Sequence, residues 1–396
     1  MDSELSQGAE SKVKTKPGRL YYLDWLRVLA MASIFFFHNN RFFDFDGWHV
    51  KNAETSLGST IFTQFFSQWM MPLFFLIAGA AVYYALGFRT ARQFIRERSL
   101  RLMIPLVTVG MFVLAPPQVY LERLSQGEFS GTFPQFYHRY FDGLYGFGGN
   151  FAFHGMHLWF LLFLFIFSVT TLPLLLPRKG TGKSLISRLA TLFEKPWALM
   201  LLLLPLAATS ILADVTWLGW TRQMGGWDTL SYLLFFIYGY LVFSNTQIQE
   251  NIKRYSTIAL IVALVLTTVG FVLRYQVNPQ ILFGTPEYVG IMLLRASLAW
   301  CWLIAILGFG SRVLNRNNRF LGYANEAVLP FYVLHQTVIL IIGFYVVQWN
   351  MGIPAKYAII SATSFATIMA IYVLLIRRIN PLRFVFGMRP KKPKVD

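Results

Sequence analysis

The chain has 396 residues, of which 56% are hydrophobic, 17% aromatic and only 13% charged, against about 25% charged in an ordinary soluble domain. The apolar residues gather in long runs separated by short basic stretches, which is the composition of a chain solvated by lipid and excludes a water-soluble globule. A net charge of +17 taken alone suggests a nucleic-acid binder, but the positive residues lie between apolar runs, so membrane lipids and not nucleic acid are the expected surroundings.

Residues 1–19 are polar and basic, with Lys12, Lys14, Lys16 and Arg19. The first apolar run starts at Leu20 and continues without the short core and cleavage site of a signal peptide, so it reads as a retained helix. A span needs about 20 mostly apolar residues, and ten segments qualify: 20–40, 59–86, 100–119, 157–176, 197–213, 229–244, 256–274, 288–309, 327–348 and 356–376. The fifth and sixth are short. Backbone polar groups in hydrocarbon must pair within the segment, so each is expected to be a helix. The fold class is therefore all-α, a polytopic membrane protein of about ten transmembrane helices.

Ten crossings put both termini on one side. Most of the 35 basic residues fall in segments on that side, including Arg89 to Arg101, Arg178 to Lys195, Arg312 to Arg319 and the tail from Arg377 to Lys394. That side is then cytoplasmic and the protein belongs in the plasma or inner membrane. The domain plan is a basic N-terminal tail (1–19), a ten-helix membrane domain (20–380) and a basic C-terminal tail (381–396). No internal repeat or low-complexity tract interrupts it. The opposite face carries two long segments, 41–58 and the glycine- and aromatic-rich 120–156, and loops of that length usually have a task. His38, His49, His138, His154 and His157 all fall at or near this outer face, while His335 lies inside a span.

Arg27 and His38 stand eleven residues apart in the first span, about three turns and roughly 16 Å, on nearly the same face. Ionisable side chains inside a span are costly and usually face a cavity, a partner or a path. Such a helix could line a slot from cytosol to outer face, with Arg27 holding an anionic donor and His38 acting as base at the other end. The plainer alternative is that Arg27 snorkels and pairs with Asp24, three residues earlier, while His38 is an interfacial histidine. Arg98 and Arg101, also three apart, can grip one polyanion together or simply contact anionic lipid. On the outer side His154, His157, Trp159, Trp217, Trp220 and Trp227 suit either a sugar-binding surface or an interfacial aromatic belt, with the belt favoured for the tryptophans. Arg295 and His335 lie deeper and should face the protein interior.

There is no Walker loop, dinucleotide fingerprint, His-Glu-x-x-His or Cys-x-x-Cys, so no metal and no permanently bound cofactor is expected. The single cysteine, Cys301, allows no intramolecular disulfide.

Tyr22-Leu-Asp-Trp-Leu-Arg27, followed by His38, resembles the signature of the acyltransferase family 3 membrane proteins. The resemblance continues through Met71-Pro-Leu-Phe-Phe-Leu-Ile-Ala-Gly79, Arg98-Ser-Leu-Arg101, His157-Leu-Trp-Phe-Leu161 and Tyr332-Val-Leu-His-Gln336, over about residues 20–380. Within the family, Trp48-His-Val-Lys-Asn-Ala-Glu-Thr-Ser-Leu57 is most similar to the glucan-biosynthesis branch, whose members are taken to add succinyl groups to periplasmic glucans. The acidic segment 41–47 and Arg295 have no counterpart in that pattern, and the short basic tail leaves no room for the esterase-like domain some members carry.

The resemblance implies a membrane-bound O-acyltransferase. It would move an acetyl- or succinyl-type group from cytosolic acyl-CoA, a donor substrate, to a hydroxyl of an extracytoplasmic carbohydrate. His38 would be the base, and Arg27, Arg98 and Arg101 would orient the donor. Asp24, Trp48, His49, Glu54, His157, Trp159, Arg295 and His335 are the candidate substrate contacts. A saccharide or lipid-linked saccharide transporter is the rival, although the paired broken helices of such proteins are missing.

Overall fold

The computed structural model describes residues 19–177, 183–277 and 282–391. The basic N-terminal tail lies almost wholly outside them, as do residues 392–396 at the other end. The regular structure of the described chain is helical, with one isolated bridge between Leu144 and Phe151 and no strand among the described residues.

Ten principal helices follow one another: α1 Tyr21–Asn40, α2 Leu57–Leu86, α3 Ala91–Ser125, α4 Met156–Thr170, α5 Pro196–Asp214, α6 Thr229–Phe243, α7 Thr246–Val277, α8 Pro286–Val313, α9 Arg319–Val346 and α10 Ile353–Ile376. A short α11, Asn380–Val385, closes the described chain. Each apolar segment read from the sequence coincides with one helix. Among the described residues seven helices, α2, α3, α5 and α7 to α10, are long and apolar enough to cross a membrane; α4 and α6 are shorter, and α1 is outside that set. Length and composition thus make this a multi-pass membrane protein without by themselves carrying all ten crossings.

The helices outrun the apolar segments because polar caps extend them. Thr90 and Gln93 close a reciprocal cap before α3, while Asn245 starts α7 and Asn318 starts α9 by accepting backbone N–H groups. The third span accordingly begins nine residues earlier than hydropathy suggests and continues to Ser125, so Glu122 is helical and not part of a loop.

α2 and α9 form the centre: 78% and 72% of their apolar windows are buried, against 22% for α7 and 28% for α10, whose apolar faces turn outward. α2 runs against α6 with almost no space between the backbones. A Cβ on Gly79 would overlap the Phe236 carbonyl, and one on Gly239 would overlap that of Leu76. Small residues at such a crossing let dispersion contacts form along the whole seam, which matters where lipid supplies no hydrophobic drive between helices. α1 packs on α9, and α3 meets α9 near its C-terminal end. α3 is also unusual in its winding, with wide π-type turns at Ser99–Met103 and Leu106–Leu114 on either side of Pro105. Such turns are frequent at functional sites.

Candidate active site

Four helices, α1, α2, α3 and α9, with the start of α4, enclose a cavity of about 510 Å³. On α1 its wall is the stripe Asp24, Arg27, Met31 and Ile34, spaced three or four residues apart as one helical face requires. His38 is the next residue on that stripe. On α9 the wall is Asn325, Val328, Leu329 and Tyr332, and His335 follows one turn later. The middle is apolar, with Ala78, Phe160 and Leu164 among its residues.

One end of the cavity is cationic. Arg19, Arg27, Arg89, Arg98 and Arg101 line it with only Asp24 and Glu97 as carboxylates. Arg27 donates to Asp24 at 3.0 Å and to Asn325 Oδ1 at 3.2 Å. Arg19 also pairs with Asp24, and Arg89 with Glu97. Arg98 stacks over the Phe94 ring at 5.1 Å. No carboxylate among the described residues pairs with Arg98 or Arg101. Positive charge concentrated in a recess with low-dielectric walls attracts a multiply charged anion, and guanidinium forks hold phosphate oxygens in fixed directions. Arg27 therefore does more than snorkel: it is fixed on two helices and faces the cavity.

Beyond the other end of the cavity stand four imidazoles. The rings of His38 and His335 lie 5.1 Å apart, those of His335 and His157 5.0 Å apart, and Trp48 stacks on His38 at 6.0 Å. Trp48 in turn contacts His49, whose Nδ1 meets the Glu122 carboxylate. Gln336 Nε2 donates to His49 Nε2 at 3.3 Å and to Gln118 Oε1 at 3.0 Å. Gln118 Nε2 donates to Thr337 Oγ1 at 2.8 Å and to His157 Nδ1 at 3.2 Å. The far nitrogen of His157 donates to the carbonyls of Tyr332 and Val333, and the Tyr332 hydroxyl returns a bond to the His157 carbonyl at 2.5 Å. His49 and His157 have both ring nitrogens engaged. His38 Nδ1 and His335 Nε2, both buried, have no partner. Among the described residues no group of three or more His, Cys, Asp or Glu is disposed to hold a metal.

The loops fasten this cluster from outside the spans. Asp44, fully buried, is clasped by Arg41 at 2.6 Å and Lys51 at 2.8 Å, which closes the 41–56 segment and presents Trp48 and His49 inward. Lys51 nevertheless lies below its ordinary pKa because burial outweighs the Asp44 hydrogen bond. Tyr145 reaches down from the glycine-rich loop and donates to both Glu122 oxygens at 2.9 Å. The turn before α4 takes left-handed backbone at both Gly155 and Met156, a conformation L-residues avoid. It is held by His154 Nδ1, which accepts from Met156 N at 3.1 Å, and it delivers His157 to the cluster. Burial lowers the His154 pKa to about 4.

Three expected contacts lie elsewhere. Glu54 is exposed, and its carbonyl, not its carboxylate, accepts from Asn52. Its charge finds solvation there at no burial cost. Trp159 packs among Phe75, Phe163 and Tyr232, an aromatic core beside the cluster. Arg295 donates to the Gly226 carbonyl and lies 4.4 Å over the Trp227 ring, so it joins α8 to the turn before α6. Trp227 is accordingly buried and not part of an interfacial belt, whereas Trp220 is partly exposed; the Trp217 side chain lies outside the described residues. Gln118, Glu122, Tyr145, Gln336, Thr337 and Asn325 were not singled out from sequence. Polar residues within apolar runs, such as Gln118 and Gln336, were the available signal.

A multi-pass helical protein whose cavity carries arginines at one end, with imidazoles one helical turn beyond the other, is the class that the fold and the site define. The chain belongs to acyltransferase family 3: the family model, an acyltransferase domain, matches residues 20–376, and the protein is an acyltransferase. It is 25% identical over 357 residues to glucans biosynthesis protein C of Escherichia coli O157:H7 (strain EC4115 / EHEC), covering 83% of this chain and 84% of that protein. The protein of the same name from Escherichia coli (strain K12) is 24% identical with the same coverage, and that of Salmonella agona (strain SL483) 23% identical over 344 residues. No solved structure matches the chain with significance.

Proposed function

We propose that the protein moves an acyl group, of acetyl or succinyl type, from acyl-CoA to a hydroxyl of an extracytoplasmic carbohydrate. In this reading the chain crosses the inner membrane ten times with both termini cytoplasmic, which agrees with the distribution of its basic residues. The arginine mouth then faces the cytosol and the histidine cluster the outer side. The observation that carries the reading is the cavity running from Arg27, Arg98 and Arg101 to Ile34 and Tyr332, one helical turn below His38 and His335. Its charged mouth suits the phosphates of the donor. Its apolar middle suits the extended thioester arm, and the distance along α1 from Arg27 to His38 is about 16 Å. The relatives named for glucan biosynthesis support a carbohydrate acceptor.

His38 acts as general base. It removes the proton from the acceptor hydroxyl as the oxygen attacks the thioester carbonyl; the C–S bond breaks and the imidazolium returns the proton to the departing thiolate. Each group must stand within hydrogen-bond reach of His38 for this transfer. His38→Ala is expected to abolish acyl transfer while insertion and acyl-CoA binding persist. Mass analysis of periplasmic and surface glycans from cells with and without the protein reads the outcome. Acylated glycan at wild-type levels with the Ala variant removes the base. Saccharide movement without a mass difference supports a transporter instead.

A further inference from the structure

Two buried nitrogens without a partner belong to neighbouring rings of the histidine cluster. His335 is the better fixed. Its Nδ1 lies 2.6 Å from the Tyr332 carbonyl, and a carbonyl only accepts, so the proton resides on Nδ1 and Nε2 is a bare lone pair. That lone pair is buried and receives no hydrogen bond, which leaves its desolvation uncompensated. His38 Nδ1 is in the same condition, with the two ring centroids 5.1 Å apart. One arrangement satisfies both atoms: a proton on His38 Nδ1 turned toward His335 Nε2. Hydrogen bonds between catalytic groups are often misaligned in the empty state and tighten when substrate binds. No other imidazole competes, because His157 spends both nitrogens on Gln118 and the α9 carbonyls. Trp48 stacks on His38 and restricts its ring plane.

We propose that His335 is a positioning residue for acyl transfer: its Nε2 accepts Nδ1–H of His38 and holds His38 in the tautomer whose Nε2 is free to act as base. The inference rests on the reading of His38 as base. In the reaction the acceptor proton passes to His38 Nε2, the Nδ1 proton stays shared with His335, and the Nε2 proton leaves with the thiolate. His335 gains and loses nothing; it fixes which nitrogen reacts and stabilises the imidazolium.

The test uses full-length protein in lipid nanodiscs with ¹⁵N-labelled imidazoles, His38 being assigned by difference against His38→Gln. His38 is expected as the Nδ1–H, Nε2-bare tautomer. His335→Ala should release that preference and lower kcat about 10²- to 10⁴-fold, the range for loss of acid–base catalysis or of the correct tautomer. KM for acyl-CoA should stay within about threefold, because donor binding depends on the arginines. His335→Gln, whose amide oxygen can accept the same hydrogen, should recover at least about tenfold of the lost rate. Nε2–H on His38 in the wild-type protein overturns the proposal whatever the variants do, including a His335→Ala that fails to fold. Wild-type kcat in His335→Ala with an inactive His38→Ala overturns the positioning role alone. An active His38→Ala overturns the base and this inference together.

Discussion

His49 and Glu122 stand 73 positions apart in the chain and meet through Nδ1 and a carboxylate oxygen, joining the loop after α1 to the last turn of α3. Tyr145 binds both oxygens of the same carboxylate. A third segment thus closes over the contact. Glu122→Gln removes the charge from a largely buried pair, and breaking such a pair from one side costs about 3–5 kcal/mol where burial is complete. With His49 only partly enclosed, we expect a loss of about 1–3 kcal/mol and at least a tenfold fall in kcat. Glu54→Gln, on the exposed side of the same loop, should change neither. Chemical unfolding in detergent and an acyl-transfer assay compare the two; equal behaviour would show that the His49–Glu122 contact has no bearing on the cluster.

Arg98 and Arg101 supply charge without carboxylate partners. Hydrogen bonds to charged groups contribute about 1.5–3 kcal/mol each, so replacing both by Ala should raise KM for acyl-CoA by at least about 100-fold with little change in acceptor KM. Steady-state kinetics with each substrate varied in turn checks this. Parallel losses for donor and acceptor would detach these arginines from the donor.

The pH dependence of stability carries a signature of His154. Its folded pKa, about 4, lies below the ordinary value of 6.5, so the unfolded state binds the extra proton. The contribution is complete above about pH 6.5 and is lost progressively as pH falls toward 4, about 3 kcal/mol in all. His154→Asn keeps an acceptor for Met156 N but does not titrate. Thermal unfolding across this window should fall less steeply for the variant, and identical slopes would place the acid sensitivity on other groups.

Gly79 and Gly239 let the α2 and α6 backbones touch. Overpacking a core costs about 1–3 kcal/mol when side chains can move. Here the obstacle is a carbonyl, so Gly79→Ala should lose at least that much and reduce the yield of folded protein. A Gly79→Ala melting temperature equal to wild type would show that the seam can open without cost.

Much of the architecture was legible because lipid imposes simple rules. Every predicted span coincides with a helix, and Arg27, Arg98 and Arg101 do converge, since charges too costly to scatter within apolar helices gather at one recess. Recognising Arg27 and His38 on one face required only the helical period. What the sequence hid is long-range pairing. Glu122 lay beyond the apolar part of α3, Tyr145 in a glycine-rich loop, and Gln118 and Gln336 become meaningful only once α3 and α9 are side by side. Arg295 lies away from the cavity for the converse reason. Its cost is offset by Trp227 and a turn carbonyl, neither of which its own helix reveals.

Along α3 the positions Phe94, Leu102, Leu106, Gly110, Leu114, Gln118 and Glu122 are buried, and Arg98, in the same series, faces the cavity. The interval is four residues throughout. In a regular α-helix, at 3.6 residues per turn, that stripe would drift by about 40° at each step and wind away from its neighbours. The wide turns at Ser99–Met103 and Leu106–Leu114 slow the winding and bring it back into phase. One helix can therefore present Arg98 to the cationic end of the cavity and Gln118 to the imidazoles along a single straight edge. This makes α3 a phase-locked ruler. Adding or deleting a single residue between the two ends would turn one of them to lipid, however conservative the change looked in the sequence.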